Sequence, residues 1–337
     1  MNTTVALFVG LDYSQHAVQV CVLDQAGNVL ANRAVPDAAD AIDQAVRRFG
    51  TVRGAALEAC NGSANLAEEL ADRFGWPVHL AHPGFVSRMK QSPDKSDFSD
   101  ARVLADLERV GYLPRVWIAP QQLRELRTLV RDRQHLAGQR RNLKLQITAL
   151  LRAHRLRCPH NRWTKAWYLW VDNQAALPEQ ARWVTQQRLR RLPWIINEIV
   201  SVEQRLDQVT AIDSTVNWLR TLAGIGPVTA WTLRAEIGRF DRFRSGKQLA
   251  RFCGLTPCNR SSGDKQADAG LIRAANPELR RVLIEAAWVL ARLQPRWRQL
   301  AQRLKAQGKA NTVVVAAVAN RFVRWLYHEG LRQQAAG

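Results

Sequence analysis

Val5-Ala6-Leu7-Phe8-Val9-Gly10-Leu11-Asp12 is an apolar run that stops on a carboxylate. A run this short, bounded by polar residues, reads as a strand buried in a sheet. Working outward, Ala17 to Leu23 makes a second strand, Gln25-Ala26-Gly27-Asn28 a turn, and Val29 to Val35 a third strand. Ala38 to Phe49 has helical spacing, with Ile42, Ala45, Val46 and Phe49 on one side. Ala55-Ala56-Leu57-Glu58-Ala59 reads as a short buried strand. Asn61-Gly62-Ser63 then opens a helix over Ala64 to Phe74, and Pro77 to Ala81 makes the last strand.

Three strands in a row, then helix, strand, helix, strand, helix, is the order of the RNase H-like α/β fold. Within it, Asp12 and Glu58 stand where strands end. A charged carboxylate in a core strand costs several kcal/mol unless something compensates it. Two more acids follow in Lys95-Ser96-Asp97-Phe98-Ser99-Asp100-Ala101, at the head of the amphipathic run Ala101 to Leu107. On a helix, residues three apart share a face, so Asp97 and Asp100 point into one small volume. Two like charges that close repel unless a proton or a cation lies between them. A capping turn with a solvated pair explains Asp97 and Asp100 by themselves, and a strand-end carboxylate reaching water explains Glu58. All four acids together, in this strand order, favour a shared divalent cation. Mg²⁺ takes oxygen ligands and keeps some water, which suits carboxylates around a phosphate.

The chain has 337 residues and a net charge of +20, enough length for two cores and a helical connector. That charge argues for a polyanionic partner, most simply nucleic acid. No stretch approaches the ~20 apolar residues of a spanning helix, which sets a membrane partner aside. Five cysteines with no Cys-x-x-Cys pair point to a reducing, cytoplasmic compartment rather than a disulfide framework. Cys158 with His160, and Cys253 with Cys258, lack the second ligand pair of a zinc site.

From Pro120 the pattern turns helical. Leu129, Leu136, Leu143 and Leu150 repeat every seven residues, with Leu126 and Ile147 at the alternate seam position, a coiled-coil signature weakened by Arg133 and Arg140. The same helix carries Arg131 and Arg141, cations that a phosphate backbone would accept. A hairpin packing on itself explains the stripe equally well. Gln180 to Ile212 is a second long helix, with a break expected at Pro193. The expected domains are therefore 1–115, 116–212 and 213–337.

In the last third, Leu222-Ala223-Gly224-Ile225-Gly226-Pro227 joins two helices through glycines, like a helix-hairpin-helix. There the backbone amides near Gly224 and Gly226 approach a phosphate unobstructed; a generic tight turn is the plain alternative. Gly254-Leu255-Thr256-Pro257 precedes a polar loop, Cys258 to Gly270, that holds Arg260-Ser261-Ser262-Gly263 and Lys265, with Arg273 beyond it. A serine hydroxyl attacks only when its charge or that of the attacked phosphate is stabilised, a role open to Arg260, Lys265 and Arg273. Alone, Ser-Ser-Gly is a turn. From Glu278 to Gly330 the chain is helical again.

Taken together, Asp12, Glu58, Asp97 and Asp100 resemble the DEDD tetrad of a RuvC-like nuclease domain. The segments at Gly224, Gly254, Ser262 and Gly270-Leu271-Ile272-Arg273 resemble the mainly α-helical transposase domain of the DEDD insertion-sequence family. That family includes the Piv-type invertases and the bridge-RNA-guided recombinases. The resemblance covers nearly the whole chain. It implies a recombinase dependent on Mg²⁺, or Mn²⁺ in its place, whose serine, here Ser262 with Ser261 as neighbour, forms a transient link to DNA. It also implies donor and target DNA, a noncoding guide (bridge) RNA, and a homo-oligomer, a dimer or a dimer of dimers. The sequence departs from the family at Ser96, where threonine is common, and at Ala275, where glycine is usual before Asn276. Two other readings stand beside it: a structure-selective, junction-resolvase-like nuclease using the tetrad alone, and a non-catalytic nucleic-acid-binding protein.

Overall fold

The structure, a computed structural model, describes residues 5–13, 17–89, 97–259 and 268–336. The chain divides into two compact units, Met1–Ile118 and Ala119–Gly337.

The first unit is built on a six-stranded sheet. Its elements run β1 (Ala6–Tyr13), β2 (Ala17–Leu23), β3 (Val29–Pro36), α1 (Ala39–Val46), β4 (Thr51–Glu58), α2 (Ser63–Phe74), β5 (Val78–Ala81), α3 (Pro83–Met89), α4 (Asp97–Arg109) and β6 (Arg115–Val116). The spatial order is β3-β2-β1-β4-β5-β6, with β1, β2 and β3 antiparallel and β4 and β5 parallel to β1. Strand alternation decides what each face sees. Leu7, Val9, Leu11, Val18, Val20, Ala55 and Leu57 pack with Ile42, Val46, Leu66 and Leu70 of α1 and α2. On the other face, Phe8, Cys21 and Leu23 meet Ala101 and Ala105 of α4, while Ala56 and Ala81 meet Leu104.

Pro77 to Ala81 is not the last strand. The two-residue β6 pairs antiparallel with β5 at the sheet edge. The buried Glu108 accounts for it, since its Oε1 lies 2.9 Å from Nδ1 of His79 and accepts from Arg115 at 2.9 Å, tying β5, α4 and β6 together. A two-residue strand has no periodicity to detect, so composition could not announce it.

The second unit is helical. It holds α5 (Gln121–Ala153), α6 (Lys165–Asn173), α7 (Glu179–Thr210), α8 (Ser214–Thr221), α9 (Pro227–Ile237), α10 (Gly246–Phe252), the hairpin β7 (Pro257–Asn259) and β8 (Asp268–Leu271), then α11 (Pro277–Leu293), α12 (Pro295–Ala306) and α13 (Asn311–Ala336). The two long helices α5 and α7 pack on each other, with Leu136 against Ile195 and Ile199. Of the heptad stripe, Leu136 is buried, as are Leu126 and Ile147, whereas Leu129, Leu143 and Leu150 are half-buried. The expected break at Pro193 does not occur, and α7 continues through it. Pro193 is exposed, between Leu192 and Ile195, which are both buried; that packing holds the helix on either side of the missing N–H. The inner helix α9 buries Trp231, Leu233, Ala235 and Ile237. Among the described residues no helix is long and apolar enough to cross a membrane.

Candidate active site

The ladder between β1 and β4 runs to Leu11 beside Leu57, and the next residue on each strand is a carboxylate, Asp12 and Glu58. Asp12 stands opposite Gln19 on β2, and Glu58 opposite Ala81 on β5. Alternation puts Asp12 on the same face as Gly10, and Glu58 on the same face as Gly54 and Ala56. Both faces are the one α4 covers. Both acids are half-buried.

The path of α4 brings the other two acids to the same end of the sheet. At its C-terminal end, Glu108 lies against Gly54, where an added β-carbon would be 2.8 Å from Oε1. One step back, the carbonyl of Ala101 sits directly on Gly10, with the amide nitrogen of Ala105 2.6 Å from a β-carbon placed there. Gly54 pairs with Phe8, so running back along α4 is running forward along β1 toward Asp12. The first turn, with Asp97 and Asp100, is fastened there by Asn32 of β3, which donates to the carbonyl of Phe98 at 2.9 Å. Asn32 in turn accepts from Gln19, the neighbour of Asp12, at 2.6 Å. Asp100 is half-buried and Asp97 exposed.

The backbone thus gathers four carboxylates at one sheet end, and an all-oxygen donor set suits a hard divalent cation. The side chains are not drawn into a cage: among the described residues, no three His, Cys, Asp or Glu groups stand close enough together to hold a metal ion. Cys60 adjoins this end. Partial burial pushes its thiol above the ordinary range, and the charges of Glu58 and Asp12 add to that, against a hydrogen bond with Ser63 that lowers it.

Ser262, its neighbour Ser261, Arg260 and Lys265 lie outside the described residues. The residues flanking them form the β7–β8 hairpin, Pro257 facing Leu271. Its base is held firmly: Ile272 donates to the carbonyl of Thr256 at 3.0 Å, Asn320 to that of Leu255 at 3.0 Å, and Arg280 to that of Ile272. Asn276 caps α11 by accepting from the amides of Glu278 and Leu279, and donates at 2.9 Å to the buried Glu236 of α9. Arg131 bonds the same carboxylate at 3.1 Å, so this cation, proposed for nucleic acid from sequence, has a protein partner in the structure. Arg242 donates to the carbonyls of Ile237 and Glu236, and burial pushes its guanidinium down to about 10. Sequence reasoning passed over Glu236. Its signal was the one that exposed Glu58, an acid among apolar neighbours in Leu233-Arg234-Ala235-Glu236-Ile237.

Ala275 replaces the glycine usual in the family without strain, because among the described non-glycine residues only Arg155 and Trp163 have positive φ. Gly224 does need its conformation, at φ 78, and joins α8 to α9, whose N-cap is the exposed Gly226. Arg273 and Arg141 are exposed.

Two family models match the chain. A DEDD-type IS110 transposase model matches residues 9–155, and the model described as transposase IS116/IS110/IS902 family matches residues 216–302. A family 20 transposase of Pseudomonas aeruginosa is 25% identical over 331 residues, covering 95% of each chain. The transposase of insertion sequence element IS1111A from Coxiella burnetii is 27% identical over 84% of this chain and 78% of its own. The pilin gene-inverting protein of Moraxella bovis is 28% identical over 37% of this chain and 39% of its own. The two family matches together span more than two thirds of the 337 residues, and the chain belongs to the IS116/IS110/IS902 family of DNA transposases.

Proposed function

We propose that this transposase cuts and rejoins DNA with a divalent cation, Mg²⁺ or Mn²⁺, held by Asp12, Glu58, Asp97 and Asp100, and with Ser262 as nucleophile. The observation that carries the reading is the convergence of both strand-end acids and the first turn of α4 at one sheet end. The strand order supports an RNase H/RuvC-like first domain, followed by a coiled-coil connector over 116–212 and a transposase domain over 213–337 with a helix-hairpin-helix at Gly224 and Gly226.

A cation bound there would polarise the attacked phosphate and steady the departing oxygen. The protein's own part is nucleophile and cradle. Ser262 Oγ loses its proton and forms a bond to phosphorus; one bridging P–O bond of the strand breaks, and the departing oxygen takes up a proton. The reverse attack, by a hydroxyl of another strand, frees the serine. Arg273, exposed just past β8, would offset the negative charge on that phosphate, a role open also to Arg260 and Lys265. The firm hairpin base lets the loop present a nucleophile without moving its anchor. A noncoding guide RNA would carry sequence choice by base pairing while the cations of the protein hold backbones, as in other RNA-guided systems. The exposed Trp183, Trp194 and Val200 on α7 support a homo-oligomer, a dimer or dimer of dimers.

The test is the covalent link. Incubated with element DNA, guide RNA and Mg²⁺, the wild type should yield a serine-linked DNA adduct by mass spectrometry. Ser262→Ala should yield none, and Ser261→Ala should yield it normally. Full strand cleavage by Ser262→Ala would remove the serine from the mechanism and leave a tetrad-only nuclease.

A further inference from the structure

The C-terminus of α5 ends against the usual rule. The amide of Leu156 donates to the carbonyl of Leu151, and that of Arg155 to Arg152, both at 2.9 Å. This paired closure places the residue after the cap in the left-handed region, a position that glycine normally fills. Here it is Arg155, at φ 55, and Trp163, at φ 68, is the other non-glycine residue so placed among those described. A non-glycine residue there is strained and persists where the surrounding structure holds it.

Arg155 and the residues around it line a cleft of about 930 Å³, bordered by Arg152, Arg157, Arg162 and His160. All five of these side chains are exposed. Among the described residues none of the four guanidinium groups forms a salt bridge, and the sequence explains why. From Arg133 to Val171 there are 39 residues without one Asp or Glu, carrying nine Lys and Arg. A solvated helix face ordinarily mixes signs. The cleft floor is well packed, since Trp167 is buried against Ile147 and Leu151, the Trp163 ring lies tilted against it at 4.5 Å between centroids, and Lys144 sits 4.7 Å over the Trp163 ring. Arg141 and Lys144 continue the positive track along α5.

We propose that this cleft, at the end of α5, binds the phosphodiester backbone of a nucleic-acid strand. Guanidinium groups pair with phosphates through two hydrogen bonds at once, and four around one cleft suit successive phosphates rather than a single small anion. Leu151, Leu156 and Trp167 form an apolar floor beneath the cationic rim, and of the lining side chains Cys158 and His160 alone could ligate a metal, fewer than the four of a structural zinc site. The inference rests on the reading of this protein as a nucleic-acid recombinase, and it lies apart from the tetrad chemistry.

The test uses the full chain and fluorescence anisotropy, titrating a labelled single-stranded RNA and, separately, a duplex DNA at several salt concentrations. The variant Arg152→Ala/Arg157→Ala/Arg162→Ala should weaken binding by about tenfold or more, with a salt slope shallower by about 0.7 per lost contact on a single strand or 0.9 on a duplex. A control removing the same charge from the first unit, Arg33→Ala/Arg48→Ala/Arg53→Ala, should bind as the wild type does. Arg155→Gly should melt higher and bind more weakly, opposite signs that no purely structural role produces. Loss confined to the RNA arm assigns the cleft to RNA, and loss confined to the duplex arm assigns it to DNA. Unchanged binding by the triple variant and Arg155→Gly, or an equal loss in the control, overturns the inference while leaving the recombinase reading in place. A wild type that binds neither probe overturns both.

Discussion

Gly10 shows how one residue sets the site. A β-carbon there would collide with the Ala101 carbonyl and lie 2.6 Å from the Ala105 amide nitrogen, both backbone atoms that no rotamer change can move. Gly10→Ala should therefore lift α4 from the sheet, costing about 1–3 kcal/mol by analogy with overpacked cores. Thermal melting of the variant would check it, and an unchanged melting temperature would contradict the close approach. The acids themselves were legible in sequence, because a carboxylate in Val9-Gly10-Leu11-Asp12 or Ala55-Ala56-Leu57-Glu58 breaks an apolar run. The role of Gly10 was not, since it depends on a helix that begins some ninety residues later. Nor was the link from Asn276 to Glu236, which joins residues forty positions apart by one hydrogen bond.

Among the elements, the strands of the first unit were legible as short apolar runs bounded by turns and β2 matches its expected bounds, whereas β6 and the fate of Pro193 depended on tertiary packing. An interior proline forfeits a hydrogen bond and crowds the preceding turn. In α7 the exposed Pro193 is carried by the buried Leu192 and Ile195 beside it. Pro193→Ala should restore the bond and stabilise the second unit by about 1 kcal/mol or more, part of the interior-proline penalty. Equilibrium unfolding in urea measures this, and a lower midpoint would show that the proline fits a bend the packing requires. The heptad stripe was legible as a helix but only in part as a seam. Leu136 and the half-buried Leu143 do pack with Ile195 and Ile199 of α7, while Leu129 and Leu150 are half-buried.

For the whole molecule, a net charge of +20 and the transposase family fix DNA as the substrate class, while the chemistry turns on whether the four acids act as one. Their elements meet at a single sheet end, although among the described residues no three His, Cys, Asp or Glu side chains stand close enough together to hold a metal ion. The direct measurement is Mn²⁺ binding by electron paramagnetic resonance, on the full chain with DNA present, comparing the wild type with Asp12→Asn, Glu58→Gln and Asp100→Asn. The account predicts saturable binding by the wild type, weakened by about tenfold or more in each variant, as loss of a metal-supporting group does elsewhere. Wild-type Mn²⁺ binding in all three variants would contradict it.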